Sequence, residues 1–253
     1  MYGFGFFLYD ILDRFDKICE GLPGKTEYIE KYEGIKKKLK IALNTKGWDG
    51  AWFKRAFTDD GKVLGSSKNT ECRIDSIAQS WSAISKAGDS YKIKKAMESL
   101  ERYLIDKESG IIKLLDPPFE KSDLEPGYIK SYLPGVRENG GQYTHSAIWA
   151  VIAFTLLNLN KQAINYYKMI NPIEHSNSKE KAEIYKVEPY VIVADVYGAS
   201  NLLGQGGWTW YTGSSSWFYK AGIEYILGLK IRKRSIIYFT LCAKRMGRVF
   251  YKI

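Results

Sequence analysis

Cysteine and histidine are scarce in this chain of 253 residues, and each scarcity excludes a chemistry. The three cysteines, Cys19, Cys72 and Cys242, lie far apart and form no CxxC pair. That rules out a zinc knuckle or a disulfide framework, and an odd, sparse thiol count suits a reducing compartment. Two histidines, His145 and His175, are too few for a histidine metal cluster. No HExxH, P-loop or GxSxG motif occurs, so the common zinc-peptidase, nucleotide and serine-hydrolase signatures are missing. No stretch approaches the roughly 18 consecutive apolar residues of a transmembrane helix. The N-terminal "MYGFGFFLYDILDRF" is apolar, but Asp10, Asp13 and Arg14 interrupt it at helical spacing, and it lacks the basic start and small-residue cleavage site of a signal peptide. These absences predict a cytoplasmic protein with no membrane span, no metal and no bound cofactor.

Acidic residues also run out. None follows Glu224, whereas Lys230, Arg232, Lys233, Arg234, Lys244, Arg245, Arg248 and Lys252 do. Those eight account for most of the net charge of +10, because the other 30 basic residues face 28 acidic ones, leaving +2. A basic tail of this kind invites a nucleic-acid reading. No nucleic-acid-binding motif stands beside it, so it reads as a solvated tail and nucleic acid is not an expected partner.

What the chain has in plenty is apolar and aromatic surface: 45% hydrophobic residues, with 19 Tyr, 11 Phe and 7 Trp. This is enough for a sizeable core. The aromatic excess has two readings, ordinary core packing or a cleft in which flat rings stack on sugars. Helical periodicity runs through 4–19 and 27–43, then through 75–87 and 89–106. Between these pairs, 47–66 alternates aromatic with polar residues, and Asp60-Gly61 signals a hairpin turn. Further helices are expected at 144–158, 161–170, 178–186, 189–198 and 213–227. The segment 107–143 has four prolines and keeps its aromatics, which marks a long functional loop rather than disorder. The final "SIIYFTLCAKRMGRVFYKI" turns β-branched and aromatic, as in two strands, which do not bury a core alone.

Three constellations carry the polar chemistry. "RENGGQYTH", 137–145, packs Arg137, Glu138, two glycines and His145 together, with His145 where a helix begins. A helix N-terminus offers free N–H groups and favours anions, although these residues taken alone read more readily as a structural loop with a satisfied histidine. "GGWTWYTGSSSW", 206–217, places Thr212, Gly213 and Ser214 at another helix start, as an anion pocket or as plain capping. Trp208, Trp210 and Trp217 either line that pocket or pack beneath it. "KVEPYVIVADVYG", 186–198, sets Glu188 just before a proline, as a ligand contact or a surface carboxylate. Gln79 and Trp81 form either a binding pair or an inner-face pair, and Trp81 reads as packing.

Five stretches, in order, then point one way: "WDGAWFKRAFTDDGKVLGSSKNTECRIDSIAQSW", "DPPFEKSDLEPGYIKSYLPGVRENGGQYTHSAIW", "NPIEH", "YKVEPYVIVADVYG" and "GGWTWYTGSSSWFYKAGIEYILGL". They resemble glycoside hydrolase family 94, the inverting disaccharide phosphorylases, and most of all the phosphorylase-like C-terminal region of cyclic β-1,2-glucan synthases, over roughly residues 4–230. The resemblance implies a mainly α fold, part of an (α/α)6 barrel with long loops at the cleft end. It implies a glycosyltransferase-type phosphorolysis of β-linked glucosides, in which inorganic phosphate is the co-substrate. By that likeness His145, Thr212 and Gly213 bind phosphate. Arg137 and Glu138 face the acceptor sugar, with Glu188 and Gln79 nearby.

The family's general-acid aspartate and donor-sugar residues lie upstream of the helix that starts this chain, so no catalytic acid is assigned here. Roughly eight helices are expected where a closed barrel has twelve. The chain therefore reads as a C-terminal fragment, with 1–230 a partial catalytic domain and 231–253 a basic tail or a remnant of a β domain. Uncovered apolar faces would leave it dependent on its missing N-terminal portion or on a homodimer, because each exposed large side chain forgoes about 1.5–3 kcal/mol. The alternative is a non-catalytic remnant that only binds sugar and phosphate.

Overall fold

A computed structural model describes residues 1–210, 212–232, 235–238 and 249–252, with side chains described up to residue 230. The fold is mainly helical. Helix α1 (Tyr2–Cys19) pairs with α2 (Thr26–Thr45), and α3 (Ser76–Ile84) precedes α4 (Ser90–Leu104). Next come α5 (Thr144–Leu156), α6 (Asn160–Met169), α7 (Pro172–Ser176), α8 (Lys179–Tyr185) and α9 (Ser214–Lys220), the last running on into a π-helical turn at Ala221–Ile226.

Helix α5 is central because its sequence is apolar on every side; nine of its thirteen residues are buried. Around it an indole chain crosses three helices, with Trp81 edge-on to Trp149 at 5.4 Å and Trp149 edge-on to Trp217 at 5.7 Å. Phe6 of α1 packs at 0% exposure against Phe53, ring centres 4.9 Å apart, in a second cluster with Leu43 and Ala96. The α1–α2 pair is tied by the buried Lys36 ammonium, which reaches Asp16 at 2.9 Å, Glu33 at 2.6 Å and Asp13 at 3.2 Å. The other face of α1 is apolar and open: Phe4, Ile11, Phe15 and Ile18 are all exposed.

Short strands stitch the loops together. The hairpin expected at Asp60-Gly61 is there, β1 (Ala56–Phe57) pairing with β2 (Val63–Leu64), and Gly61 takes the left-handed φ of 81° that its turn needs. Strand β3 (Ile74–Asp75) leads into α3, where the Asp75 carboxylate caps the N–H groups of Ile77 and Ala78 and pairs with the buried Arg55. The long segment 107–143 is well tied. It follows β4 (Ile105–Asp106) and contains β5 (Ile111–Ile112) and β6 (Leu115–Asp116), with β4 on β5 and β3 on β6. Glu71 accepts three successive N–H groups from Glu120, Lys121 and Ser122. Asn139 bridges Phe119 and Tyr132.

The helix expected at 189–198 is absent. Residues 195–196 instead form β8 (Asp195–Val196), antiparallel to β7 (Gln142–Tyr143). The reason lies in the sequence: Val191, Val193 and Asp195 are buried while Ile192 and Ala194 between them are half-open, a period of two. At the C-terminal end, β9 (Leu229–Arg232), β10 (Ser235–Tyr238) and β11 (Val249–Lys252) form an antiparallel sheet in the order β11-β10-β9. Cys242 and the basic residues Lys233, Arg234, Lys244, Arg245 and Arg248 lie outside the described residues. Among those described, no helix is long and apolar enough to cross a membrane.

Candidate functional site

Strand β8 organises the site. On one side it pairs with β7, and its neighbour Ala194 accepts the N–H of Thr144, the first residue of α5, at 3.0 Å. On the other side the N–H of Ala194 donates to Trp208 at 2.7 Å, and the N–H of Gly207 to Asp195 at 2.8 Å. A third tie joins Gly198 to Gly135 at 2.7 Å. One backbone ladder thus gathers "RENGGQYTH" and "GGWTW", which stand some 70 residues apart in the chain.

His145 is the second residue of α5. Its ring stacks on Tyr143 with centres 5.5 Å apart and leans on Trp149 at 5.7 Å. Across from it stands Gly213, the residue before α9; a Cβ on Gly213 would lie 3.4 Å from His145 Nε2. The structure therefore brings the two predicted anion-binding helix starts face to face. Thr212 folds over this junction, its Oγ1 accepting the N–H of Ser214 at 3.1 Å and meeting the Ser214 hydroxyl. Two buried polar atoms near His145 on α5, Thr144 Oγ1 and Trp149 Nε1, have no hydrogen-bond partner. Burial holds the His145 imidazole below its ordinary pKa, so at neutral pH it is uncharged and carries one N–H donor.

Three of the predicted sugar-facing residues, Arg137, Glu138 and Glu188, gather at an aromatic wall of Tyr132, Trp208 and Trp210. Arg137 adopts a left-handed φ of 52°, which is uncommon for a residue with a side chain. Its guanidinium lies over the Trp208 ring at 3.9 Å and over Tyr132 at 5.0 Å. Glu138 Oε2 sits 3.8 Å from Arg137 Nε. Trp208 and Trp210 are 58% and 68% exposed, so they line the surface, whereas Trp217 packs underneath against Trp149. Glu188 is at the rim, accepting from Trp210 Nε1 at 3.0 Å. Its own backbone N–H and that indole hold its carboxyl below the usual range.

Gln79 is placed elsewhere. It is 0% exposed, and its amide closes on the backbone of Phe53 (N–H at 2.8 Å, C=O at 2.8 Å) and on the Asp75 C=O at 2.8 Å. It braces the turn before β1 and does not reach the wall. Sequence reasoning missed Asp195, which lies buried between the two loops. The available signal was a lone carboxylate inside the β-branched run "VIVADVYG". A cavity of about 570 Å³ bounded by Lys107, Lys168, His175 and Lys181 lies away from this cluster.

Comparison with known proteins fixes the class as a carbohydrate-active domain. The particular family follows: the chain belongs to the glycosyl hydrolase 94 superfamily, whose catalytic-domain model matches residues 3–228. The cyclic beta-(1,2)-glucan synthase NdvB of Rhizobium meliloti is 53% identical over 196 residues, covering 78% of this chain and 7% of that protein. The solabiose phosphorylase of Paenibacillus borealis is 27% identical over 192 residues, 76% of this chain and 24% of that enzyme. The N,N'-diacetylchitobiose phosphorylase of Vibrio furnissii is 28% identical over 205 residues, 80% and 25% respectively. The chain thus spans about a quarter or less of the length of these relatives.

Proposed function

We propose that this chain supplies the phosphate-binding and acceptor-sugar part of an inverting glycoside phosphorylase domain that acts on β-linked glucosides. The observation that carries the reading is the approach of His145 Nε2 to Gly213 across two facing helix starts. A phosphate held there would meet the His145 N–H, the Thr212 hydroxyl and the N–H groups opening α9. Each charge-assisted hydrogen bond of this kind contributes about 1.5–3 kcal/mol. The neutral imidazole keeps one N–H to donate to such an anion.

In this reading a phosphate oxygen attacks the anomeric carbon from the face opposite the leaving sugar. The C–O bond to the acceptor breaks, the configuration inverts, and an α-sugar 1-phosphate forms. Arg137, Glu138 and the exposed Trp208 bind the departing sugar, with Glu188 at the rim. Phosphate is a competent nucleophile, so no base is required. The leaving oxygen does need a proton, and none of these residues is assigned to give it. The family resemblance puts that acid on a segment upstream of α1, in an (α/α)6 barrel whose remaining helices would cover the open apolar face of α1. Without the acid the rate falls by about 10²–10⁴-fold. The relatives named for β-1,2-glucan and for disaccharides support a β-linked glucoside as substrate.

Calorimetric titration of the folded chain with inorganic phosphate, and separately with β-1,2-glucooligosaccharide, tests the reading. Heat of binding for both ligands, with phosphate binding lost in His145→Ala, is expected. A folded sample that gives only heat of dilution with both contradicts it.

A further inference from the structure

Asp195 is 2% exposed, and neither of its carboxylate oxygens has a hydrogen-bond partner. Such a group is costly to keep, because burial without partners removes the hydration of the charge and returns little. Its neighbours Val193 and Val196 are apolar and equally buried, so packing alone would be served by another aliphatic residue. The groups that act on Asp195 belong to both loops of the site: the Arg137 guanidinium attracts it, the Glu138 carboxylate repels it, and the backbone N–H groups of Arg137 and Trp208 lie close enough to favour its charge. The Tyr197 hydroxyl, two residues along the chain, feels its charge. Glu138 Oε2 is likewise buried without a hydrogen-bond partner, its nearest cation being Arg137 Nε at 3.8 Å. Above the Asp195 carboxyl sits Gly207; a Cβ there would fall 2.3 Å from Oδ1, so the loop closes over the acid only because residue 207 has no side chain.

Asp195 is therefore sealed from any ligand while standing at the seam of the two loops that carry the aromatic wall. We propose that Asp195 is a positioning residue for the sugar side of the site: its carboxyl, packed under Gly207 at the seam of the two loops, sets their spacing and so keeps the Arg137 guanidinium over the indole that an acceptor sugar would stack against. The role rests on the phosphorylase reading for its ligand, though not for its mechanics. Residues that touch nothing reactive act this way by holding others to within a fraction of an ångström.

The test uses Asp195→Asn, which keeps the shape, in the 253-residue chain. Amide hydrogen exchange at 135–138 and 206–208 is expected to speed up severalfold, while exchange in α5 stays as in the wild type. Affinity for β-1,2-glucooligosaccharide is expected to fall about tenfold, with affinity for inorganic phosphate within about twofold. Burial pushes the Asp195 carboxyl up to about 6. Wild-type sugar affinity, measured without phosphate so that His145 has no ligand, should therefore change between about pH 7.5 and 5, and the Asn variant's should not. Unchanged loop exchange overturns the proposal whatever the ligands do. Equal loss of sugar and phosphate binding, with faster exchange throughout α5, overturns it too, because that is the mark of a general structural residue. If wild type binds neither ligand yet the loop exchange still responds to Asp195→Asn, the phosphorylase reading fails and the positioning role stands.

Discussion

Replacing Asp75 with alanine should unfold much of the domain at modest temperature. Asp75 is 2% exposed and Arg55 is 8% exposed, and the two form an ion pair between the end of β3 and the residue before β1. The same carboxylate caps α3, accepting the N–H groups of Ile77 at 2.9 Å and Ala78 at 3.3 Å. Removing one partner of a buried pair leaves the other charge uncompensated and costs about 3–5 kcal/mol. Loss of the cap adds about 1 kcal/mol. A total of about 4–6 kcal/mol is a large part of the roughly 5–15 kcal/mol that holds a domain together. For a chain of this length it corresponds to a fall in Tm of about 10–20 °C, at about 2–4 °C per kcal/mol. Thermal unfolding followed by far-UV circular dichroism at neutral pH reads it. The double variant Asp75→Ala, Arg55→Met should regain a good part of the loss, since no buried charge is then left alone. A fall below about 3 °C, or a double variant no more stable than Asp75→Ala, would refute the reasoning.

The remaining predictions concern the site and its surroundings. His145→Ala should weaken inorganic phosphate binding by about 10–100-fold, the worth of one hydrogen bond to a charged group, with sugar binding nearly unchanged; calorimetry with each ligand decides. His175 has its pKa held down by burial, with a further push from Lys181. The unfolded chain binds its proton more readily, so the stabilisation from a neutral His175 is full above about pH 6.5 and is lost as pH falls below that. His175→Phe keeps the stack on Tyr185 and should flatten the decline in Tm between about pH 7.5 and 5.5; an undiminished decline counts against it. Cys72 is 0% exposed and burial pushes its thiol up to about 12, so its peptide should stay unmodified by iodoacetamide in the native protein and react once urea is added.

The helices were legible wherever apolar residues recur with the helical period. Helices α1 and α2 begin and end within two residues of their expected limits, and α5 announces itself as an apolar run. The Asp60-Gly61 turn was legible for the same local reason. The stretch 189–198 was misread, because a run such as "VIVADVYG" looks buried in either geometry; only its alternation, tested against β7 some 50 residues away, decides for a strand. His145, Thr212 and Gly213 stood out singly as helix-start residues, but their meeting did not, since it depends on how α5 and α9 cross. Gln79 misled because an amide next to a tryptophan is equally at home bracing a backbone, which is where its three hydrogen bonds go. Asp195 escaped notice because nothing near it in sequence reveals the two loops that close over it.

The most direct test of the central claim is to extend the chain upstream through a segment bearing a carboxylic acid, supply inorganic phosphate and β-1,2-glucooligosaccharide, and follow the products by phosphorus NMR. The account predicts an α-sugar 1-phosphate that appears with the extended protein, is absent with residues 1–253 alone, and disappears again in the extended His145→Ala variant. An extended, folded protein that forms no sugar phosphate, or one whose product forms as fast without His145, would contradict it.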